Sequence, residues 1–375
     1  MSGLAEILLQ EGFTVSGSDR DESDLLNGLR SLGARIETPQ KAENIVPGID
    51  CVCYTAAIHP DNPEFLAAKK ASLPMLTRAE LLGQVMAQYQ NSIAVAGTHG
   101  KTTTTSMVTS VLLAAEKDPT VSVGGMLSSI GGNIRVGRSD IFVAEACEYT
   151  NSFHSLSPRY SIITTVEEDH MDFFKDLADV RSSFRTFAAK TAPDGAVIIG
   201  GEIAHYEELT DSLSCKVISY GLAGDYDYTA KDIRFDEKGC ASFTAVRRGG
   251  EELPLTLSVP GDHNIRNALA VTALCREMGI DPSIIRKGLS DFYGTDRRFE
   301  YKGETCGVTI IDDYAHHPTE IRSTLAAARK RNPKRLIVVF QPHTYTRTAA
   351  FFDDFVDALS GADLVVLADI YAARE

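Results

Sequence analysis

The residues best suited to chemistry lie between Ser92 and Ser106, which read SIAVAGTHGKTTTTS. A β-branched run leads into a glycine-framed turn, and a threonine-rich helix start follows. Backbone N–H groups in such a turn point inward, and the helix N-terminus adds partial positive charge, so phosphate oxygens are favoured there. The side chain of Lys101 can reach the β- and γ-phosphates, and Thr102 can bind Mg²⁺. The predicted nucleotide-binding residues of this loop are Gly97, Thr98, His99, Gly100, Lys101, Thr102 and Thr103.

The glycine spacing of this loop departs from the common phosphate-loop pattern. The pattern GxxxxGK[ST] requires glycine where this chain has Val95, and the first glycine comes two residues later, at Gly97. We interpret the segment as a compact variant of the phosphate loop. The alternative is an ordinary glycine turn that caps a helix.

Carboxylates at the ends of two predicted strands indicate a metal site beside the loop. The strand DIFVAEA ends at Glu145, where Mg²⁺ would find a hard oxygen ligand, although a solvated loop glutamate is the alternative. The strand YSIITTV runs into EEDHMD, an acidic cluster that repels itself unless a cation or a binding site offsets it. His170 lies within this cluster and is either a metal ligand or a structural histidine. A histidine ligand would suit a second site that tolerates Mn²⁺.

Two further motifs carry candidate binding residues. In PGDHNIRNALA, the side chains of His263, Asn264 and Asn267 fall in the first turn of a predicted helix, where they either cap the helix or contact a nucleobase edge. In the last third of the chain, Arg298 and Arg347 are suited to clamping phosphate and carboxylate groups. The segment DDYAHHPTEI places His316 and His317 on a loop before a helix that starts at a proline. Zinc binding by these histidines is an alternative without a third regularly spaced ligand.

The order of predicted elements indicates a parallel α/β architecture. Helix-like and strand-like runs alternate from the start, as in GLAEILLQEG, FTVSGSD, SDLLNGLRSLG and GIDCVCYTAA. Beyond the phosphate loop, four runs between Gly and Asp turns predict antiparallel ribbons: KVISYG, DYTAKDIRFD, CASFTAVRRG and ELPLTLSV. A third α/β unit follows the polar stretch DFYGTDRR and contains VTIIDDYA, TEIRSTLAAARKR, RLIVVFQP and ADLVVLAD. We predict an α/β fold with domains at 1–88, 89–293 and 294–375.

Composition restricts the partners and the location. The 375 residues suffice for two or three domains at ~150 residues each. A formal net charge of −14 makes nucleic acid and anionic membrane poor default partners. No apolar run approaches the ~20 residues that span a bilayer, and the N-terminus lacks signal-peptide features, so we expect a cytoplasmic protein. The seven scattered cysteines form no CxxC pair and are expected to be reduced thiols.

The motifs GTHGKTTTT, EACEY, EEDHMDFF, GDHNIRNALA, DDYAHHPTEI and FQPHTYTRT together resemble the Mur ligase family over essentially the whole chain. The last two look like the alanine-adding members. The murein-peptide recycling members also resemble the first half and share a similar HHP loop, but FQPHTYTRT is not expected in them. The family has a strand and a GxGGxGMS turn before the MSGLAE of this chain, and it continues past IYAARE. We therefore expect a chain that is shortened at both ends.

The resemblance implies a fold and a set of site residues. It implies an N-terminal Rossmann-like domain for a UDP-sugar, a central P-loop ATPase-type domain with a mixed sheet, and a C-terminal Rossmann-like domain for an amino acid, with both outer domains incomplete. By resemblance, Lys101 and Thr102 hold phosphates and Mg²⁺, Glu145 and His170 hold metal, and His263, Asn264 and Asn267 contact adenosine. The resemblance also implies that the nucleotide site is completed by Arg298 and Asp313. The amino acid and the reacting carboxylate are faced by His316, His317 and Arg347. The UDP-linked substrate is bound by Ser18, Asp19 and His170.

The resemblance also implies a reaction. The expected enzyme is an ATP-dependent carboxylate–amine ligase that joins L-alanine to the lactyl carboxylate of UDP-N-acetylmuramate through an acyl phosphate, with a pair of Mg²⁺ ions. Three alternatives stay open. They are a murein-peptide recycling ligase of the same family, a P-loop NTPase without ligase activity, and a non-catalytic module that binds a UDP-sugar or a dinucleotide.

Overall fold

The chain forms three α/β regions in a computed structural model that describes residues 1–55 and 57–373. The elements of the first region are α1 (Ser2–Gln10), β1 (Ser16–Ser18), α2 (Asp24–Ser31), β2 (Arg35–Glu37), β3 (Val52–Tyr54), α3 (Pro63–Lys70), β4 (Met75–Thr77) and α4 (Arg78–Met86). Strands β1 and β2 pair in parallel, as do β3 and β4. The predictions of α1, β1, α2 and β3 are confirmed, and the other four elements are additional to them.

A ten-stranded mixed sheet forms the central region. The central elements are β5 (Asn91–Ala96), α5 (Lys101–Ala114), β6 (Thr120–Leu127), β7 (Gly132–Arg135), β8 (Ile141–Glu145), β9 (Tyr160–Ile163), α6 (Leu177–Ala188), β10 (Ala196–Gly200), β11 (Lys216–Tyr220), β12 (Tyr228–Phe235), β13 (Cys240–Arg247), β14 (Glu252–Pro260), α7 (Asp262–Glu277) and α8 (Pro282–Ser290). The strand order is β14-β13-β12-β11-β10-β9-β5-β8-β6-β7. Short 3₁₀ helices lie at Ala42–Asn44, Ser128–Ile130, Tyr149–Ser155 and Tyr206–Leu209.

Helices cover both faces of this sheet, which explains why residues 93–96 of β5 are all apolar. Successive strand residues point to opposite faces. Ile93 and Val95 pack in the core with Val111 of α5, whereas Ala94 and Ala96 belong to the core on the other face. That second core also contains Met86 of α4 and Phe184 of α6.

Strand β5 lies between β8 and β9 and is parallel to both. The carboxyl ends of parallel strands meet at one edge of a sheet, and ligands of open α/β sheets bind at that edge. The loops that follow β5, β8 and β9 carry the sequences GTHGK, ACEY and TTVEEDHMD. The topology therefore brings the predicted phosphate loop together with both acidic segments.

One predicted pairing is wrong in direction. KVISYG, expected in the antiparallel ribbons, forms β11, which pairs in parallel with β10 and through Tyr220 and Tyr228 in parallel with β12. Only β12, β13 and β14 form antiparallel ladders among the four runs. A short apolar run flanked by turn residues is the same in both kinds of sheet, so local sequence did not distinguish them.

The third region forms a smaller α/β unit. Its elements are β15 (Glu300–Thr305), β16 (Val308–Asp312), α9 (Pro318–Arg329), β17 (Ile337–Phe340), α10 (Tyr345–Ala350), α11 (Phe352–Leu359) and β18 (Leu364–Leu367). Strands β15 and β16 are antiparallel, and β17 and β18 are parallel. Ile321 and Leu325 of α9 pack with Phe340 and Phe355 in a separate core. The predicted α/β character of this unit is confirmed.

Helix α9 contacts the central region at both of its ends. At its C-terminal end, the ammonium group of Lys330 pairs with Asp262 and lies 3.4 Å from the centroid of the Phe235 ring. At its N-terminal end, the hydroxyl of Thr319 donates a hydrogen bond to Glu167 (2.8 Å). Across the described part of the chain, no helix has both the length and the apolar character that spanning a membrane requires.

Candidate functional site

The predicted phosphate loop is a tight turn at the N-terminus of α5. Gly97 (φ +143°) and Gly100 (φ +82°) adopt backbone conformations that favour glycine. A Cβ on Gly97 would lie 1.9 Å from Oγ1 of Thr164, so close packing also excludes a side chain there. Helix α5 begins directly after Gly100, at Lys101, and its first turn contains Thr103. A turn of this kind that ends on a helix N-terminus can cradle a phosphate.

Lys101 is buried beside the loop and paired with Glu148. Its Nζ lies 2.8 Å from Oε2 of Glu148 and donates to the backbone carbonyls of Gly97 (2.5 Å) and Thr98 (3.1 Å). Burial opposes the charge on Lys101, yet the attraction of Glu148 raises the pKa of the ammonium group above its ordinary value. The pairing lowers the pKa of Glu148 although burial acts in the opposite direction. Both side chains are therefore charged at neutral pH.

Thr102 and Glu145, two of the three predicted metal ligands, are in contact. The hydroxyl of Thr102 donates to Oε1 of Glu145 (3.1 Å), and Oε2 of Glu145 accepts from the backbone N–H of Gly124 (2.8 Å). A Cβ on Gly124 would lie 2.6 Å from that oxygen, so glycine makes room for the carboxylate. A hydroxyl and a carboxylate are hard oxygen donors of the kind that Mg²⁺ prefers. These two side chains fit a magnesium ion at the loop.

His170, the third predicted ligand, lies beside Glu148, the carboxylate partner of Lys101. Its Nε2 lies 3.6 Å from Oε1 of Glu148 and 3.8 Å from Oδ2 of Asp169. Its ring packs against Tyr149, with centroids 4.7 Å apart. The residue adopts a positive φ of 53°, which places the histidine at a sharp bend of the acidic segment. His170 thus shares Glu148 with Lys101, and its role as a metal or substrate ligand stays a prediction.

The polar residues at the start of α7 are bonded to one another and to the backbone. Nδ2 of Asn264 donates to the carbonyl of Pro260 (2.7 Å), and Nδ2 of Asn267 donates to Oδ1 of Asn264 (3.1 Å). Oδ1 of Asn267 would lie 3.0 Å from a Cβ on Gly100, so this amide packs directly against the phosphate loop. Burial and the nearby Arg266 lower the pKa of His263 to about 4, which makes this histidine neutral at pH 7. Contact of these residues with adenosine stays a prediction.

Two predicted residues of the third region reach or support the loop. Nη2 of Arg298 donates to the hydroxyl of Thr102 (3.3 Å), across the boundary between the central and third regions. Asp313 accepts backbone hydrogen bonds from Phe299 and Ala315, each 2.7 Å long, and burial raises its pKa. Arg298 therefore joins the predicted metal site directly. Asp313 holds the backbone at Phe299 and Ala315 in place near Arg298.

His316 and His317 differ in environment. Nδ1 of His316 lies 2.8 Å from the carbonyl of Tyr314, and because a carbonyl can only accept, this nitrogen carries the proton. Nε2 of His317 faces the carbonyl of Glu168 (3.1 Å), and its Nδ1 accepts the N–H of Thr319 (3.3 Å). Burial lowers the pKa of His317 to about 4. His317 is thus a neutral side chain with both ring nitrogens bonded, whereas the Tyr314 carbonyl engages Nδ1 of His316 and leaves its Nε2 out of this bond.

Arg347 is held by a carboxylate of the protein. Its Nε and Nη2 donate to Oδ1 of Asp169 at 3.1 and 2.9 Å, and the two side chains are 10% and 6% exposed. Although burial opposes it, the charges of His170 and Arg347 hold the pKa of Asp169 well below its ordinary value. This arginine was predicted from sequence as a clamp for the amino-acid carboxylate. The structure gives it a fixed place beside the acidic segment, with Nη1 near His343 (3.3 Å).

The acidic segment that follows β9 is compensated by cations. Nε2 of His99 lies 3.5 Å from Oε2 of Glu167, and Asp169 pairs with Arg347. The His99, Glu167 and His317 side chains place one candidate ligand atom each within 4.8 Å of one another. Both ring nitrogens of His317 already have partners, so we do not assign a metal there. The acidic cluster was visible in the sequence, but the cations that compensate its charge were not.

Sequence reasoning missed Glu148 and Glu320 as members of the site. Glu148 is 2% exposed and contacts Lys101, and Glu320 lies 3.3 Å from Nδ1 of His99. The signal for Glu148 was present as a second carboxylate three residues after Glu145. Glu320 lies on a helix of the third region, and only the fold brings it to the loop.

Ser18 and Asp19, the predicted residues for the UDP end, lie at the end of β1 in the first region. Within the described residues, the hydroxyl of Ser18 donates to Glu64, and the carboxylate of Asp19 accepts from the backbone of Arg20 (2.7 Å). The structure thus places them in a polar cluster of their own and not in the cluster around Lys101. Their role stays a prediction.

Models of three Mur ligase domains match nearly the whole chain. They are described as the Mur ligase family catalytic domain (residues 1–90), the Mur ligase middle domain (95–275) and the Mur ligase glutamate ligase domain (297–374). A protein of Agathobacter rectalis named UDP-N-acetylmuramate–L-alanine ligase is 61% identical over 375 residues, which cover 100% of this chain and 82% of that protein. The chain belongs to the Mur ligase family. The resemblance stated from the sequence motifs is confirmed.

Other Mur ligases agree in sequence and in structure. The Lachnospira eligens protein of the same name is 57% identical and is covered over 82% of its length. The crystal structure of UDP-N-acetylmuramate–alanine ligase MurC from Thermotoga maritima matches with a TM-score of 0.83 at 33% identity, covering 99% of this chain and 83% of that one. A murein peptide ligase of Psychrobacter arcticus matches with a TM-score of 0.75 at 22% identity, which shows the shared fold. The Mur ligase three-domain α/β architecture predicted from the sequence is therefore confirmed, while the boundaries at residues 88 and 293 stay predictions.

Proposed function

We propose that this Mur ligase joins L-alanine to the lactyl carboxylate of UDP-N-acetylmuramate in peptidoglycan synthesis, with conversion of ATP to ADP and phosphate. The observation that carries this proposal is the 61% identity to the Agathobacter rectalis ligase over all 375 residues of the chain. The segment FQPHTYTRT favours the alanine-adding reaction over murein-peptide recycling, whose members share a loop similar to DDYAHHPTEI.

The chemistry requires two anions to meet. A carboxylate accepts an amine poorly, so the lactyl carboxylate first attacks the γ-phosphate and forms an acyl phosphate. The alanine amine then displaces phosphate through a tetrahedral intermediate. Buried Lys101 supplies positive charge at the phosphate loop, and charge of this sign offsets the repulsion between the two anions. Arg298, which contacts Thr102, adds a second cation from the third region.

We assign the metal site to Thr102 and Glu145, and we assign His170, which lies beside Glu148, as the ligand of a second ion. A bound Mg²⁺ would neutralise phosphate charge and polarise the phosphoryl oxygens. The backbone N–H of Gly124 holds the Glu145 carboxylate in a fixed orientation (2.8 Å). The chain thereby preorganises one oxygen ligand beside the loop.

We assign proton acceptance from the alanine ammonium to His316. Its Nδ1 proton points to the Tyr314 carbonyl, which leaves the Nε2 lone pair free to take a proton. Buried His317, whose pKa is lowered to about 4 and whose ring nitrogens both have partners, serves to hold the loop. Arg347 would bind the amino-acid carboxylate in competition with Asp169, its partner in this structure.

ATP and the amino acid are bound by different regions in this proposal, so the third region must close on the central one before reaction. Closure shuts water away from the acyl phosphate. Ser18 and Asp19 would contact the UDP end, and His263, Asn264 and Asn267 the adenosine. Because ATP and UDP-linked precursors are cytoplasmic, we place the enzyme in the cytoplasm.

Phosphate release tests the proposal. The protein is assayed with Mg²⁺ and ATP, and UDP-N-acetylmuramate and L-alanine are added separately and together. We expect release only when both are present. Release without either substrate would favour a P-loop NTPase, and a preference for a murein tripeptide over L-alanine would favour a recycling ligase.

A further inference from the structure

The imidazole of His99 lies between two carboxylates that belong to different regions of the molecule. Its Nε2 is 3.5 Å from Oε2 of Glu167, which follows β9 in the central region. Its Nδ1 is 3.3 Å from Oε1 of Glu320, in the first turn of α9 in the third region. The histidine side chain is 11% exposed, and that of Glu320 is 15% exposed. His99 therefore bridges the phosphate loop to the third region.

The central region fixes the position of this histidine through its backbone. The N–H of His99 donates to Oγ1 of Thr165 (2.8 Å), and its carbonyl accepts from the same hydroxyl (3.4 Å). Glu167 is fixed in the same way, because its N–H donates to Oγ1 of Thr98 (2.9 Å). Contacts within the central region thus fix the backbone positions of His99 and Glu167.

On the opposite side, Glu320 organises the loop that carries the two histidines. Its Oε2 accepts the backbone N–H of His316 (3.0 Å), while its Oε1 faces His99. The ring of His317 lies against the ring of His99, with centroids 4.7 Å apart. The position of the His316–His317 loop therefore depends on the carboxylate that His99 holds.

The charges favour this arrangement only when His99 is protonated. An imidazolium donates from both ring nitrogens, whereas a neutral imidazole has one N–H for two facing carboxylates. Burial opposes the charge, but the facing carboxylates of Glu167 and Glu320 raise the pKa of His99 to about 9. The side chain is therefore a cation at neutral pH. Removing it would leave two partly buried carboxylates without their shared partner.

We infer that the side chain of His99 is a positioning residue that ties the His316–His317 loop of the third region to the phosphate loop through Glu320. Its task differs from that of the loop backbone, which faces phosphate. The inference rests on the proposed function only in naming the amino acid as what this loop binds.

Hydrogen–deuterium exchange tests the tie without any need for activity. We compare wild type with the variants His99→Gln and Glu320→Gln, the double variant, and a control, His59→Gln, which changes an exposed histidine of the first region. In His99→Gln we expect about tenfold faster exchange of amides 319–323, with the amides of α5 unchanged. Glu320→Gln should give the same pattern, and the double variant should add less than twofold. Unchanged exchange in α9 in both single variants would overturn the inference.

Steady-state kinetics then separate positioning from general damage. In His99→Gln we expect the KM for L-alanine to rise about tenfold while the KM for ATP stays within twofold and the control matches wild type. An equal loss in ATP and alanine parameters would overturn a positioning role. If wild type forms no alanine-dependent product, the proposed function fails, and the exchange experiment still decides the tie between His99 and Glu320.

Discussion

Lys101 and Glu148 form an ion pair of 2.8 Å in the interior of the site, with side chains 14% and 3% exposed. The lysine that is expected to bind phosphate thus has a carboxylate partner from the loop after β8. A buried pair of this kind fixes the direction of the lysine, and loss of one partner leaves an uncompensated charge. This relationship makes the site sensitive in both stability and activity.

Replacing Lys101 should therefore do more than abolish activity. We expect Lys101→Met to eliminate phosphate release and to lower the free energy of unfolding by about 3–5 kcal/mol, because buried Glu148 loses the ammonium group that compensates its charge. Adding Glu148→Gln should restore most of the stability and none of the activity. Urea unfolding and the phosphate assay measure the two effects. The control Lys216→Met, in an exposed pair with Glu277, should change the free energy of unfolding by at most about 1 kcal/mol. If Lys101→Met changes the free energy of unfolding by no more than this control does, the buried-pair account is contradicted.

The close approach of Gly124 to Glu145 predicts a metal-specific defect. A Cβ at position 124 would lie 2.6 Å from the end of a flexible carboxylate, which can move aside. We expect Gly124→Ala to fold and to need roughly tenfold more Mg²⁺ for half-maximal activity, since the displaced carboxylate leaves Thr102. The matched control is Gly28→Ala, where no atom lies within 4 Å of the added Cβ. An unchanged Mg²⁺ requirement in Gly124→Ala would argue against the assigned metal site.

The Asp169–Arg347 pair predicts how alanine recognition can be weakened. Lysine keeps the charge of Arg347 but cannot reproduce the two hydrogen bonds that its guanidinium donates to Oδ1 of Asp169. Arg347→Lys should raise the KM for L-alanine by about tenfold, with the KM for ATP within twofold. Arg322→Lys is the control, since Arg322 forms an exposed pair with Asp357 in the same region. Wild-type alanine dependence in Arg347→Lys would remove Arg347 from the amino-acid site.

His99 predicts how stability depends on pH. Its pKa rises from 6.5 to about 9 on folding, so the folded protein holds a proton that the unfolded chain has lost in this window. The stabilisation is complete below pH 6.5 and decreases as pH rises to 9, by up to about 3 kcal/mol. Glu167, Glu320 and His317 face this imidazole, and His317 titrates below the window, with a pKa of about 4.

Urea unfolding between pH 6.5 and 9.5 checks this dependence as a difference between wild type and His99→Gln. The variant should show a shallower decline in stability than wild type, because the raised histidine pKa is gone. Parallel curves for the two proteins would show that His99 carries no such proton.

Local sequence predicted the parts of the site that lie next to one another in the chain. The apolar run before Gly97, the glycines and Lys101 specify a strand, a turn and a helix start, and the fold contains these elements in that order. Glu145 could be predicted as a site residue because it ends a strand, and strand ends share an edge of the sheet.

The pairings between distant residues could not be predicted in this way. His99 and Glu320 are 221 positions apart, and their contact depends on how the third region docks. Glu148 and Lys101 are 47 positions apart, and many other acidic residues of the chain could have paired with the lysine. The direction of β11 was wrongly predicted as antiparallel for the same reason, because the arrangement of the whole sheet determines which strands pair.

The most direct test of the account follows oxygen from the lactyl carboxylate. UDP-N-acetylmuramate with ¹⁸O in that carboxylate is incubated with the enzyme, Mg²⁺, ATP and L-alanine, and the released phosphate is examined by mass spectrometry. If the carboxylate attacks the γ-phosphate, one labelled oxygen passes into each phosphate molecule. Phosphate that carries no label while ATP is consumed would contradict the acyl phosphate and the ligase reaction with it.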